Sequence, residues 1–568
     1  MNKFKIFTIA LVISATFSQA QDLAPAKKAI DAEQFEKAKS LLKSFIVAKP
    51  TNGEAPFLLG KIYLYQTYAD SAKVSFLNGL KAKEFSHYNY IGLAQMDLDN
   101  NNSAGAKTNI DAAINGMKKK DVQEYVYIAR AYMDNSKPDY KSAIAILEKA
   151  KVINYQDAQV QLALGDAYYG DRNQNDAYSA YRNAFATDPN LIRAKMQLGV
   201  ILKGASAFSE ADRDLNVVAT SSPNYGPVYR ELAETYYKWA NKDAKNYTEY
   251  TKKALGYYEK YMSLTDYSLS SRMRHADFLI LAKDYVALEA EANKMKEIGG
   301  VNPRILRYLG YSSYQNGNTD VAIKSLEDFI ANPITKKIPR DYFVLGQAKM
   351  KKATGEDGKI ADQAKFTDAV ATMKIAIEQE PKIAEEIYDI GSVFFKQKSY
   401  DQAATVFEIA TSNKESKNYS DDNAFYGYSI YYGYDKTKPN IAALDKAEIA
   451  FSEVIAKYPT AAIYHFFKAK INDLQEKDDA MVKSYQDYMD LVNAKGPDEV
   501  AKAKPKFIEA YNNIGAFYAN TDKVKATEMW NKTLALDPTN KYAIDSIASL
   551  SIVKSPTPKT TTPPLKKK

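Results

Sequence analysis

Three histidines, His87, His275 and His465, are the only imidazoles in the chain; they lie roughly 190 residues apart, and there is no cysteine. A metal centre or an activated nucleophile needs several such groups within one site, so this spacing speaks against both. No HExxH, GxSxG or GxxxxGK[ST] pattern occurs. Gly355-Glu356-Asp357-Gly358-Lys359 contains glycine at the wrong spacing for a phosphate loop, and Ile360 stands where a Ser or Thr would bind the magnesium ion. Asp97-Leu98-Asp99-Asn100-Asn101-Asn102-Ser103 begins like a calcium loop, but its sixth place is Asn102 and its twelfth is Thr108, where glycine and glutamate belong. It reads as a turn between helices. No catalytic residue, metal ligand or cofactor is expected. Arginine is a different matter, because Arg272, Arg274, Arg304, Arg307 and Arg340 fall close together in the chain. Guanidinium groups on adjacent helices can grip a carboxylate or phosphate with two parallel bonds. Acids such as Asp277 and Asp341 offer them internal partners, and the sequence leaves both uses open.

The elements that would carry these side chains repeat. Gly165, Gly199 and Ala233 sit 34 residues apart. Leu164-Gly165-x-x-Tyr168 is followed by Ala177, Tyr181, Ala184 and Pro189, and Leu198-Gly199-x-x-Leu202 by Ala211, Leu215, Val218 and Pro223. A fixed period of this size means stacked units rather than one globular core. Each unit reads as two amphipathic helices. The first ends at the turn-forming run Gly170-Asp171-Arg172-Asn173, and Asp188-Pro189 stops the second. Small residues at Gly165 and Ala177 let the two helices approach, and Tyr181 fills the gap that remains. The same arrangement is found at Leu59-Gly60-x-x-Tyr63 with Ala72 and Phe76, and at Leu309-Gly310 with Ala322, Leu326 and Phe329. It returns at Ile390-Gly391-x-x-Phe394 with Ala403, Phe407 and Ala410, and at Ile514-Gly515-x-x-Tyr518 with Ala526, Trp530 and Pro538. Weaker units start near Leu23, Phe85, Val122, Leu269 and Ala461, and insertions fall near Asn241–Tyr250, Lys352–Lys365 and Asp435–Asn440. Units of this kind are expected to touch only their neighbours.

This combination of small residues, an aromatic or aliphatic filler and a terminal proline resembles the tetratricopeptide repeat family, as an exported bacterial member, over roughly residues 22–540. The resemblance implies an all-α fold: a right-handed α-solenoid of about fourteen helix pairs, with Lys541–Val553 as a C-terminal capping helix. It also implies a non-enzymatic scaffold that holds protein or peptide partners in a concave groove lined by the first helix of each pair. The family's groove positions correspond here to Tyr169, Tyr237, Arg304, Arg307, Tyr311, Tyr314, Arg340, Phe343, Tyr388, Phe395, Tyr428 and Tyr431. Aromatic and arginine side chains are the types that dominate interface energetics. The sequence departs from the members that grip a chaperone's C-terminal peptide through Lys and Asn at the fifth and ninth positions. Arg307 with Tyr311, and Phe343 with Gln347, stand there instead.

The chain ends carry their own expectations. Lys3 and Lys5 precede the apolar run Ile6–Ile13, and Ser18-Gln19-Ala20 offers small residues for cleavage. Residues 1–20 therefore read as a secretory signal, leaving an array over 21–553 and a Pro/Thr/Lys tail over 554–568. Without a cysteine after the signal the protein is not a lipoprotein, and no later apolar run reaches membrane-spanning length. The expected location is the periplasm or the periphery of an outer membrane. The formal charge is +8, yet Lys3, Lys5 and five tail lysines account for all but about +1 of it. A near-neutral array lacks the basic stripe that nucleic acid requires. A structural or envelope-anchoring role is the second reading, with Lys566, Lys567 and Lys568 making electrostatic contact with an anionic envelope surface. An enzyme subunit that uses the inserted loops is the third.

Overall fold

The computed structural model describes residues 22–298 and 302–551. The expected signal over 1–20 and the tail with Lys566, Lys567 and Lys568 lie outside the described residues. Among those residues the structure is helical, with no strand beyond two isolated bridges, Asn52 with Glu84 and Thr354 with Ile360. No described helix is long and apolar enough to cross a membrane. The chain divides into two compact units at Asn302. Unit 1 opens with Ala24–Asp31 and Phe35–Ala48 and proceeds pair by pair to Leu269–Ala282 and Tyr285–Glu297. Unit 2 opens with Arg304–Gln315 and Thr319–Ala331 and closes with Lys504–Tyr518, Lys523–Leu536 and a last helix, Lys541–Ser551. Two elements stand outside the pairing and were not foreseen, a 3₁₀ stretch Pro381–Glu386 and a short helix Pro497–Lys502.

The repeated glycine has a steric cause. A Cβ added to Gly165 would lie 2.4 Å from the ring of Tyr181, and one added to Gly60 would lie 2.2 Å from Phe76. In unit 2 the same test puts Gly310 at 2.4 Å from Leu326 and Gly391 at 2.7 Å from Phe407. Each filler sits 16 positions along, on the second helix, and all four are buried to within 1%. The glycine is thus the seat of a fully packed core side chain of its partner, at interior packing density that leaves no space for a methyl group.

The turns within three of the pairs are also built alike. Asn101, Arg172 and Lys283 take the left-handed backbone conformation (φ 57, 64 and 59). The next residue, Asn102, Asn173 or Asp284, accepts a hydrogen bond from a backbone N–H in the first turn of the following helix. One residue reverses the chain and the next caps the helix. The calcium-loop lookalike is such a junction: Asn102 caps, and Asp97 accepts from the Asn102 and Asn109 side-chain amides. The insertions are found between paired helices, and the one after Lys352 is closed by the Thr354–Ile360 bridge and turned at Gly358 (φ 78).

One expectation fails. In unit 1 the first pair meets not only its neighbour but also the helices Gly226–Ala240 and Tyr247–Leu264, through contacts that span 197 to 230 residues.

Candidate functional site

The arginines do not form an open cluster. In unit 2, Arg307 donates from Nε and Nη2 to the two oxygens of Asp341, at 2.7 and 2.8 Å, and from Nη2 to the Lys336 carbonyl at 2.7 Å. Asp341 is fully buried. It accepts further bonds from the Tyr311 hydroxyl (2.8 Å) and the Ile338 backbone N–H (2.8 Å). Arg307 and Tyr311 are therefore members of an internal bracket that joins Arg304–Gln315 to Pro339–Ala353. They correct the expectation of a free groove contact, because a buried carboxylate must be satisfied from within. Phe343 is likewise corrected. It is completely buried, with the Arg340 guanidinium 5.3 Å over its ring. Arg340 itself is held by Glu386 at 2.6 and 2.9 Å. Arg304 is exposed, stacks 5.6 Å over Tyr308 and borders a shallow cavity of about 430 Å³ with Arg307 and Phe329. Tyr314 is half-buried, and burial pushes its phenol up. In unit 1, Arg272 pairs with Glu291 (2.7 Å), and Arg274 grips Glu234 through two bonds of 2.7 Å. Internal pairing is thus the use the fold makes of these groups.

The aromatic half of the expectation fares differently. Tyr388 and Phe395 stand on Ile387–Lys396, and Tyr428 and Tyr431 on Tyr419–Gly433, the first helices of consecutive pairs in unit 2. Phe425 bridges them, with ring centroids 5.7 Å from Tyr388 and 5.0 Å from Phe395. On the next first helix, Ala462–Leu474, Phe467 lies 4.7 Å from Tyr428, 5.5 Å from Tyr431 and 6.0 Å from Tyr432. These rings rest on a buried bed that includes Phe394, Phe407 and Phe451. Gly427 brings the middle helix down onto Phe451, where an added Cβ would meet the ring at 2.6 Å.

Tyr388, Phe395, Tyr428 and Tyr431 are half-buried, and Tyr432 is 48% exposed. Burial pushes the Tyr428 and Tyr432 phenols up, so both remain protonated donors at neutral pH. The Lys470 ammonium lies 5.0 Å from the Tyr431 ring and pairs with Glu509. The face therefore offers apolar ring area, phenol donors and one cation, a combination suited to receive apolar side chains and backbone carbonyls of a protein segment. Phe425 and Phe467 were missed because fixed groove positions were carried over. The density of the run Phe425-Tyr426-x-Tyr428-x-x-Tyr431-Tyr432 was the available signal. Tyr169 and Tyr237 are half-buried in unit 1; Tyr237 packs beneath Arg274, whose guanidinium is 4.9 Å from its ring.

Helix pairs in series, many of them closed on a seated glycine, define a helical-repeat protein of the α-solenoid class. Residues 361–420 match the family model described as tetratricopeptide repeat. The match covers one segment of the array, the same glycine seat recurs on either side of it, and the tetratricopeptide-repeat fold generally mediates protein–protein interaction. Among solved structures it is similar to the C-terminal part of a TPR repeat-containing protein from Cytophaga hutchinsonii, with 26% identity over 48% of this chain and 98% of that one and a TM-score of 0.28. A tetratricopeptide repeat protein from Parabacteroides merdae shows 13% identity over 52% and 99%, with a TM-score of 0.30. PilF of Pseudomonas aeruginosa shows 21% over 38% and 96%, with a TM-score of 0.32. No curated protein matches the chain.

Proposed function

We propose that this protein is a non-enzymatic scaffold of the bacterial cell envelope that holds a protein or peptide partner on the aromatic face of unit 2. The observation that carries the reading is the row of half-exposed rings from Tyr388 to Phe467 across three consecutive first helices. A large ring presented at a surface rather than buried is the type of side chain that anchors interfaces. Export to the periplasm, or to the periphery of an outer membrane, is supported by the Lys-flanked apolar run ending at Ala20.

Capture of partners from envelope extract by the full chain, followed by mass spectrometry, tests the reading. The doubly substituted Tyr431→Ser/Tyr432→Ser protein serves as the comparison. Loss of about 2 kcal/mol or more of affinity for a captured partner is expected if the two rings are hot spots. Unchanged affinity, with helix content retained by circular dichroism, would place the binding surface elsewhere.

A further inference from the structure

The contacts that return the first pair to Gly226–Ala240 and Tyr247–Leu264 are polar and specific. Glu33 sits in the turn between Ala24–Asp31 and Phe35–Ala48, with φ 58. One of its carboxylate oxygens accepts from Arg230 Nη1 and the other from the Tyr261 hydroxyl at 2.7 Å. Beside it, Gln34 Nε2 donates to the Leu264 carbonyl at 3.2 Å. The helix Phe35–Ala48 has no side-chain cap from its own N-cap residue, Gln34. Its N-terminus is served instead by Asp266, whose Oδ2 accepts from the Glu36 backbone N–H at 2.7 Å. A carboxylate at that position meets both the unsatisfied N–H groups and the positive end of the helix dipole. The apolar part of the junction is small, with Ala32 joining a cluster that contains Tyr225, Val228 and Leu232.

The first pair is attached quite differently to the pair that follows it. There Leu42 and Phe45 share a continuous apolar core with Phe57, Leu59 and Ile62. One side of the first pair is thus held by core packing and the other by hydrogen bonds and a part-exposed ion pair, whose side chains are 31% (Arg230) and 19% (Glu33) exposed. The pair is mostly buried, so salt screens it only in part, and losing one partner costs more than it would at an exposed pair. Between the two attachments lies a cavity of about 680 Å³ that is open to solvent on one side, where the exposed Tyr65 forms part of its rim, so that movement of the first pair would widen it. The first pair supplies one part of its wall through Ile30, Asp31 and Phe35, and first helices of later pairs, with the turn Asp134–Ser136, supply the rest, among them Leu58, Arg130 and Arg193.

We propose that the first helix pair is a clasp: it pivots on its apolar attachment to the second pair, and release of the Glu33, Gln34 and Asp266 contacts opens the cavity of unit 1. The closed form is the one seen here. The open form keeps the apolar attachment to the second pair and loses the polar junction, the place of Ala32 in its cluster and the charge contact of Asp31 with Arg193, so the two forms differ by a limited set of interactions, as a population switch requires. The clasp is independent of the aromatic face of unit 2.

The natural chain has no cysteine, so Leu58→Cys, in the cavity wall and 8% exposed, places a single thiol there. In the full chain its rate of maleimide labelling is compared with and without Glu33→Ala. The clasp predicts at least a tenfold faster reaction when Glu33 is replaced, with a smaller acceleration in the Glu33 protein as salt is raised. Hydrogen exchange on the Glu33→Ala chain without the added thiol should show faster exchange over residues 24–48 and unchanged protection in Ala158–Gly170, which separates opening from general unfolding. Equal labelling rates overturn the clasp as a gate, whatever the exchange result. Loss of protection throughout unit 1 overturns it too, since Glu33 would then hold the fold rather than a movable part.

Discussion

Arg307 and Asp341 stand one repeat period apart and close a two-pronged hydrogen bond between successive first helices, at 2.7 and 2.8 Å. The same rung recurs with other residues. Lys61 donates to Gln95, 34 positions on, and Arg130 pairs with Asp166, 36 positions on. The period that sets the core therefore also sets a line of polar braces between neighbouring pairs. These braces tie up charged side chains such as Arg307 and Arg130 on the first helices.

Arg307→Ala should destabilise unit 2 by about 3–5 kcal/mol, because it leaves the buried Asp341 carboxylate without its main partner. Arg304→Ala, at an exposed position over the Tyr308 ring, should cost less, about 1 kcal/mol or below. Denaturant unfolding of the two variants checks the contrast, and a mild Arg307→Ala would return that residue to the list of partner contacts.

Glycines divide by what surrounds them. Gly391→Leu should cost about 1–3 kcal/mol by overpacking, since even a Cβ there would approach Phe407 to 2.7 Å. Gly256, within Tyr247–Leu264, has nothing within 4 Å of an added Cβ. Gly256→Ala should therefore stabilise that helix by about 0.5–1 kcal/mol. Thermal melts of both variants decide the matter, and equal effects would undo the seat argument.

Asp422 governs a pH effect of unusual sign. It is fully buried with neither carboxylate oxygen hydrogen-bonded, and burial, then the neighbouring Asp421, pushes it up to about 7. The fold thus keeps a proton that the unfolded chain gives up in the ordinary carboxylate range. The contribution of this group is best below that range, falls as pH rises towards 7 and is level above. Asp422→Asn should remove this segment of the stability–pH curve and stabilise unit 2 at pH 8 by an amount on the order of a few kcal/mol. A variant with the parent's pH profile would show that Asp422 is ionised at no cost.

Asp166 should behave in the opposite way. Burial alone would raise it, but Arg193 and Arg130 outweigh burial and hold it below the usual carboxylate range. Its contribution is present above the unfolded value and is lost as pH falls through the lower folded one. Asp166→Asn should weaken unit 1 at neutral pH and flatten its acid-side loss, as read from urea unfolding at pH 3 to 7. An unchanged acid limb would remove Asp166 from that role.

The helix pairs, their turns and the glycine seats were legible in the sequence. Period, small-residue spacing and turn chemistry are local properties, and each pair's first demand is to close on itself. Gly165 with Tyr181 could be read from spacing alone, because a helix hairpin leaves one geometry in which that ring fits. The helices that carry the candidate face were legible for the same reason: Tyr388, Phe395, Tyr428 and Tyr431 lie on the first helices of their pairs. Which side chains stay available is not a local property. Arg307 and Phe343 occupy groove positions by count, yet a buried acid claimed one and the core claimed the other. The decision rested on neighbours 34 positions away and on the angle at which pairs stack. The return of Glu33 to Arg230 lay further still from the sequence. Small rotations accumulate from pair to pair, and only their sum, expressed in three dimensions, brings the first turn of the array against a helix 197 residues later.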